Sequence, residues 1–151
     1  MNISALVNNK IRVVLDTNVI LVSISRKSKY RPIFDAILMG RIEVVVSNEL
    51  INEYVEIIER KSNSTIAHNI GEALLNLDNV IKVEINFNWG LIESDKDDNK
   101  FTDCYVAGNS DILITNDKHF DVLKQVSFPK IKTLDIDSFL KIVISNYFPT
   151  N

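Results

Sequence analysis

Short runs rich in β-branched residues, each ending in a polar side chain, constrain this chain more than any other feature. Residues 11–15 (IRVVL) run into Asp16, 42–46 (IEVVV) into Ser47, and 111–114 (DILI) into Thr115. A strand with one face in water alternates apolar and polar residues. These runs are nearly continuous in apolar character, so both of their faces must be covered, as in the central strands of a parallel sheet. Segments of helical length separate them. Strands alternating with helices from end to end predict a single α/β domain, a three-layer α/β/α sandwich with a mostly parallel central sheet. The 151 residues fit one such domain over 1–151, with a core of about 11–143, and the 4 glycines and 3 prolines are too few for a loop-rich all-β fold.

The expected strands are 11–15, 42–47, 80–84, 111–115 and 131–134. The expected helices are 17–24, Pro32–Met39, 48–61, 64–76, 99–109 and 135–147, with a short one from Asp117. Pro32 suits a first helical turn and Gly40 a helix C-terminus. Ser47 suits an N-cap. Residues 85–98 read as a loop, and the tail FPTN as frayed.

Three function classes recede on composition. The net charge of -3 gives no global field for nucleic acid, so any such contact needs a local basic patch or a metal ion. The one cysteine, Cys104, permits neither an intrachain disulfide nor a cysteine-based zinc site and reads as core. The first ten residues, MNISALVNNK, lack a leader pattern, and no apolar run reaches the roughly 20 residues of a membrane span. The expectation is a cytoplasmic protein without membrane contact.

In a parallel sheet, ligands bind beyond the carboxyl ends of the strands, so acids placed just after strands are the informative ones. Asp16 follows the first strand and Asp117 lies two residues past Thr115. Asp98 opens the helix that feeds the same strand as Asp117. The helix 48–61 carries Glu49, Glu53, Glu56 and Glu59. On a helical wheel Glu49 and Glu56 lie opposite the apolar stripe, Glu53 and Glu59 border it, and only Glu53 stands near the strand edge. Asp98 lies within about 70° of the inward face of helix 99–109, whereas Asp103 lies about 150° away and reads as solvated. Four carboxylates on one edge repel one another. A hard divalent cation, Mg²⁺ or Mn²⁺, removes that conflict and leaves open positions for phosphate and water.

The stretches VVLDTNVIL, SNELINEYVEII, DKDDNKFTDCYVAG and DILITNDKHF, in that order, resemble the PIN-domain family of metal-dependent ribonucleases over about residues 11–143. The DDNKF variant is most similar to the VapC-like subgroup, toxins of toxin–antitoxin pairs. The resemblance implies that Asp16, Asp98 and Asp117 hold Mg²⁺ or Mn²⁺. It implies that Glu53 completes the acidic cluster and positions or deprotonates the attacking water. It also implies RNA as substrate, products with a 5′-phosphate and a 3′-hydroxyl, a small antitoxin as partner, and a homodimer or higher homo-oligomer. Tyr105 departs from the pattern, standing where a small residue is usual.

Other readings stay open at this point. Asp16 and Asp117 also suit helix N-caps. Asn18 and Thr115 either support the acids or satisfy backbone groups at the strand ends, and Asp103 is a reserve acid. The run RKSKYR, with Arg26, Lys27, Lys29, Tyr30 and Arg31, either tracks an RNA backbone or forms a solvated loop. His68 and His119 read as surface residues without partners, and Trp89 as an edge plug or a partner contact. A phosphatase of the haloacid-dehalogenase type also ends its first strand in Asp, but wants a second acid two residues on, where Asn18 stands. A member of the fold that binds RNA or protein without cleaving is the non-enzymatic alternative.

Overall fold

Residues Arg12–Leu15 (β1), Glu43–Val46 (β2), Val80–Lys82 (β3), Ile112–Ile114 (β4) and Thr133–Leu134 (β5) form one sheet in the order β3-β2-β1-β4-β5. Every adjacent pair is parallel. The structure, a computed structural model, describes residues 10–150; residues 1–9, which hold nearly all of MNISALVNNK, and Asn151 of the FPTN tail lie outside the described residues.

Consecutive residues of a strand point to opposite faces. Val13, Val14 and Leu15 are all 0% exposed, as are Val44, Val45 and Val46, so both faces of the central sheet are covered. That is the three-layer α/β/α arrangement the apolar runs predict. The covering helices are Thr17–Ser23 (α1), Arg31–Leu38 (α2), Asn48–Lys61 (α3), Ser64–Asn76 (α4), Asn99–Ala107 (α5) and Ile136–Tyr147 (α6). Helix α3 packs on α4 and α1, α2 on α6 and α1, and α5 lies on β1, β2 and β4.

Local signals in the sequence end these elements where expected. Gly40 follows α2 at φ +72°, its N–H donates to the Ile37 carbonyl, and the Arg41 N–H donates to the Ala36 carbonyl. This left-handed closure favours glycine because other residues meet their own Cβ there. Ser47 Oγ accepts from Leu50 N at 3.2 Å and caps α3. Tyr54, fully buried on α3, donates its hydroxyl to the Leu15 carbonyl and fixes the helix against the end of β1. Tyr105 is accommodated: its hydroxyl donates to the Asp111 carbonyl at 3.0 Å.

Some bounds differ. The expected loop 85–98 ends in a 3₁₀ turn, Lys96–Asp98, begun by Asp95, whose carboxylate accepts from Asp97 N at 3.2 Å. The short element after Asp117 is also 3₁₀, Lys118–Gln125. Phe148 packs half-buried on the core instead of fraying with the tail. No described helix is long and apolar enough to cross a membrane.

Candidate active site

The chain runs from β1 outward to β2 and β3, then returns to add β4 and β5 on the other side of β1. The gap between the carboxyl ends of β1 and β4 is therefore the topological switch point, where open α/β sheets place ligands. Leu15 pairs with Ile114, so Asp16 and Thr115 emerge side by side. Asp16 occupies the N-cap position of α1, but its side chain makes no capping bond. It instead accepts from Thr115 Oγ1 at 2.7 Å, and Thr115 Oγ1 in turn accepts from Asp117 N at 3.0 Å. Thr115 thus orients Asp16 and Asp117 together. Asp16 is 8% exposed. Burial raises its carboxyl above the ordinary range, the Thr115 hydroxyl partly offsets this, and the charge of Asp117 adds to the rise.

Asp98 ends the 3₁₀ turn before α5. Its Oδ2 is buried and has no hydrogen-bond partner. Burial, followed by the charges of Asp95, Asp117 and Asp16, pushes its carboxyl from 3.8 up to about 6, with His119 acting in the opposite sense. Asp117 thus lies close enough to act on both Asp16 and Asp98, and Asp16 on Asp98. Asp117 also caps the following 3₁₀ turn through His119 N at 2.9 Å, so its N-cap reading holds.

Three residues of this cluster, His119, Asp95 and Lys100, escape the sequence reading. His119, read above as partner-free, has Nδ1 at 3.2 Å from Asp117 Oδ1 and 3.4 Å from Asp98 Oδ2. Asp95 Oδ2 lies 3.8 Å from the same nitrogen. A search for metal-ligand spacing among His and Cys alone overlooks a histidine whose neighbours are carboxylates.

Glu53 is brought to the same edge by α3 and is the half-buried member of its helix, while Glu49, Glu56 and Glu59 are exposed. Its Oε2 accepts from the Thr17 hydroxyl and its Oε1 pairs with Lys100. Lys100 is the third residue missed. Its side chain is 8% exposed and also meets Asp97 at 2.8 Å. A lysine in the first turn of α5 opposes the helix dipole, and that is the signal that it serves a specific partner.

Asp103 is corrected: it is 5% exposed, not solvated. The loop after β3 folds back over that side of α5, and Asp103 Oδ1 accepts from Trp89 N at 2.9 Å. Trp89 stacks edge-on between Phe87 and Phe128. Of the basic run, Arg26 and Lys27 are exposed. Lys29 pairs with Asp137 at 3.4 Å, and Arg31 is occupied by Asp35 and the Ile24 carbonyl. Tyr30 donates to Asp137 at 2.9 Å, and its ring lines an open groove with Asp16, Asn18, Asn116 and Asp117.

These donors fit a divalent cation. Hard cations bind carboxylate oxygens, and the sealed, unpartnered Asp98 Oδ2 is the kind of atom that such an ion satisfies. Without one, the cluster is strained by repulsion, with a definite pH dependence. The folded protein binds the Asp98 proton up to about pH 6 and the unfolded chain only to 3.8. The native state therefore holds more protons between these values, and stability falls as pH rises through them. In EDTA, Asp98→Asn is expected to raise stability by about 1–2 kcal/mol at pH 8 and little at pH 4, after allowance for screening. Thermal melts at the two pH values check this; a gain independent of pH would contradict it.

A family model for the PIN domain matches residues 12–119. No curated protein matches the sequence. Among solved structures, the chain is similar to the crystal structure of VapBC2 from Rickettsia felis bound to a DNA fragment from their promoter, with a TM-score of 0.57 and 14% identity over 83% of this chain and 98% of that one. At that identity the likeness is one of fold.

Proposed function

The chain belongs to the PIN-domain family, and from that premise we propose that it is a cytoplasmic Mg²⁺- or Mn²⁺-dependent endoribonuclease, the toxin of a toxin–antitoxin pair. The observation that carries this reading is that Asp16, Asp98 and Asp117 stand at the switch point near enough for the charge of Asp117 to raise the Asp16 and Asp98 carboxyls, beside a buried, unpartnered Asp98 oxygen. Asp16, Asp98 and Asp117 would hold the cation, which when bound neutralises charge on a scissile phosphate and acidifies a water. The rest is the work of the chain's own residues. Thr115 aims the Asp16 carboxylate. Thr17 and Lys100 hold Glu53 in a single orientation, from which a free lone pair on either oxygen receives a proton from water. The groove beside Tyr30 and Asn18 receives the RNA strand, with the Tyr30 ring offered for base stacking and Arg26 and Lys27 for backbone charge.

The solved neighbour is a VapBC2 complex on promoter DNA, which supports a small antitoxin as partner here; the working unit in this reading is a homodimer or a higher homo-oligomer. The phosphatase alternative gains nothing, because Asn18 leaves no second acid beside Asp16. The experiment is cleavage of end-labelled RNA titrated with Mn²⁺, with the ends of the products identified. Products with 5′-phosphate and 3′-hydroxyl ends are expected. RNA bound intact at saturating Mn²⁺ would instead favour a non-cleaving RNA-binding scaffold.

Lys100 tests the positioning step. Lys100→Met is expected to lower kcat about 10- to 100-fold with KM nearly unchanged, since it loosens a group that supports the reacting water. Lys100→Arg should restore part of the loss. A rise in kcat on Lys100→Met would mean that the lysine restrains Glu53 from acting.

A further inference from the structure

We propose that His119 and Asp95 join Asp98 as direct ligands of the divalent cation, on the side of the site away from Asp16, so that the site carries a nitrogen donor and selects Mn²⁺ or a similar transition ion over Mg²⁺. This rests on the cation-dependent reading above. One ligand atom from each of Asp95, Asp98 and His119 lies within 4.8 Å of the others. The separations from His119 Nδ1 are 3.2 Å to Asp117, 3.4 Å to Asp98 and 3.8 Å to Asp95. Donors bound at about 2.1 Å stand about 3.0 Å apart along an octahedral edge and about 3.4 Å along a tetrahedral one. The observed spacings fall at or just beyond those edges and are long for charge-assisted hydrogen bonds, which run about 2.7–2.9 Å.

A second observation points the same way. Asp98 Oδ2, the oxygen facing His119 Nδ1, is closed to solvent and accepts no hydrogen bond. The imidazole therefore stands at this oxygen without satisfying it. The backbone from which the ring extends is held in place, because Asp117 Oδ1 accepts from His119 N at 2.9 Å. The His119 side chain is 48% exposed, which leaves the far side of the cluster open to water and phosphate. An all-carboxylate site suits hard ions such as Mg²⁺, whereas imidazole moves preference toward the later first-row ions.

The test uses the full chain with Mn²⁺ or Mg²⁺ alone, followed by calorimetry and by pulsed electron paramagnetic resonance of the bound Mn²⁺. The spectrum of the unaltered protein is expected to show coupling to an imidazole nitrogen. His119→Gln should abolish that coupling, weaken Mn²⁺ binding about 10- to 100-fold and change Mg²⁺ binding less than about threefold. Because the side chain is half exposed, His119→Asn serves as a second variant with the same expectation. Mn²⁺ bound without nitrogen coupling, or bound equally well by His119→Gln, overturns the ligand role and leaves the nuclease reading standing. No Mn²⁺ binding at all overturns both.

Discussion

On the ribonuclease reading, Asp16→Asn is expected to remove about three orders of magnitude of RNA cleavage, equivalent to about 4 kcal/mol of transition-state stabilisation, and to leave the protein folded. Asn has the shape of Asp, and its amide oxygen still accepts from Thr115 Oγ1, so the edge of the sheet keeps its geometry. What disappears is a carboxylate whose protonated form burial already favours. Removing a desolvated charge near Asp117 relieves repulsion, so the metal-free variant should melt slightly higher than the parent. Lost turnover with retained or improved stability marks a group maintained for chemistry at the expense of the fold. Both are measured on one preparation, by initial rates on end-labelled RNA in Mn²⁺ and by thermal melts in EDTA. Equal cleavage by the variant would point to a contaminating nuclease or to a different centre.

Gly108→Val is the most damaging small change expected outside the site. A Cβ built on Gly108 falls 2.3 Å from Val45 Cγ1 and 2.9 Å from Cγ2, closer than atoms approach. Val45 is 0% exposed, and β2 lies between β1 and β3, so it has nowhere to move. Overpacking of this kind costs about 3 kcal/mol, or roughly 6–12 °C in Tm for a domain of this size. Gly71→Ala is the control. Its Cβ would meet only Val55 Cγ2 at 3.1 Å, a half-buried side chain able to shift. The gain of about 0.5–1 kcal/mol from replacing a mid-helix glycine offsets that contact. Melts of the two variants should diverge; equal losses would show that space at Gly108 is not what keeps α5 on β2.

The architecture could be read from the chain because a parallel sheet writes itself into continuous apolar runs, and those of β1, β2 and β4 are unmistakable. β5 was placed correctly although only two residues pair, since the helix signals around it fixed its position. The acids were legible for a related reason: strand ends are predictable to within a residue or two, and parallel strands align their ends. What could not be read depends on how loops lie. A helical wheel knows only the sheet side of α5, so it made Asp103 solvent-facing while the 85–95 segment buried it. His119 looked solitary because two of its three partners, Asp95 and Asp98, come from the segment before α5, about 20 residues earlier in the chain. Lys100 stands beside Glu53 only because α3 and α5 meet at one corner.

The hydrogen bond from Thr115 to Asp16 joins residues 99 positions apart. A ribosome adding about 5–20 residues per second needs about 5–20 s to cover that distance. Throughout that interval the emerging polypeptide displays its opening aspartate but lacks the second half of the centre. A fragment released early, before β4 is made, would therefore lack Thr115 and Asp117 and with them half of the proposed centre. On the ribonuclease reading proposed above, the order of the strands would work as a timer, keeping the enzyme silent while the message that encodes it is still being translated.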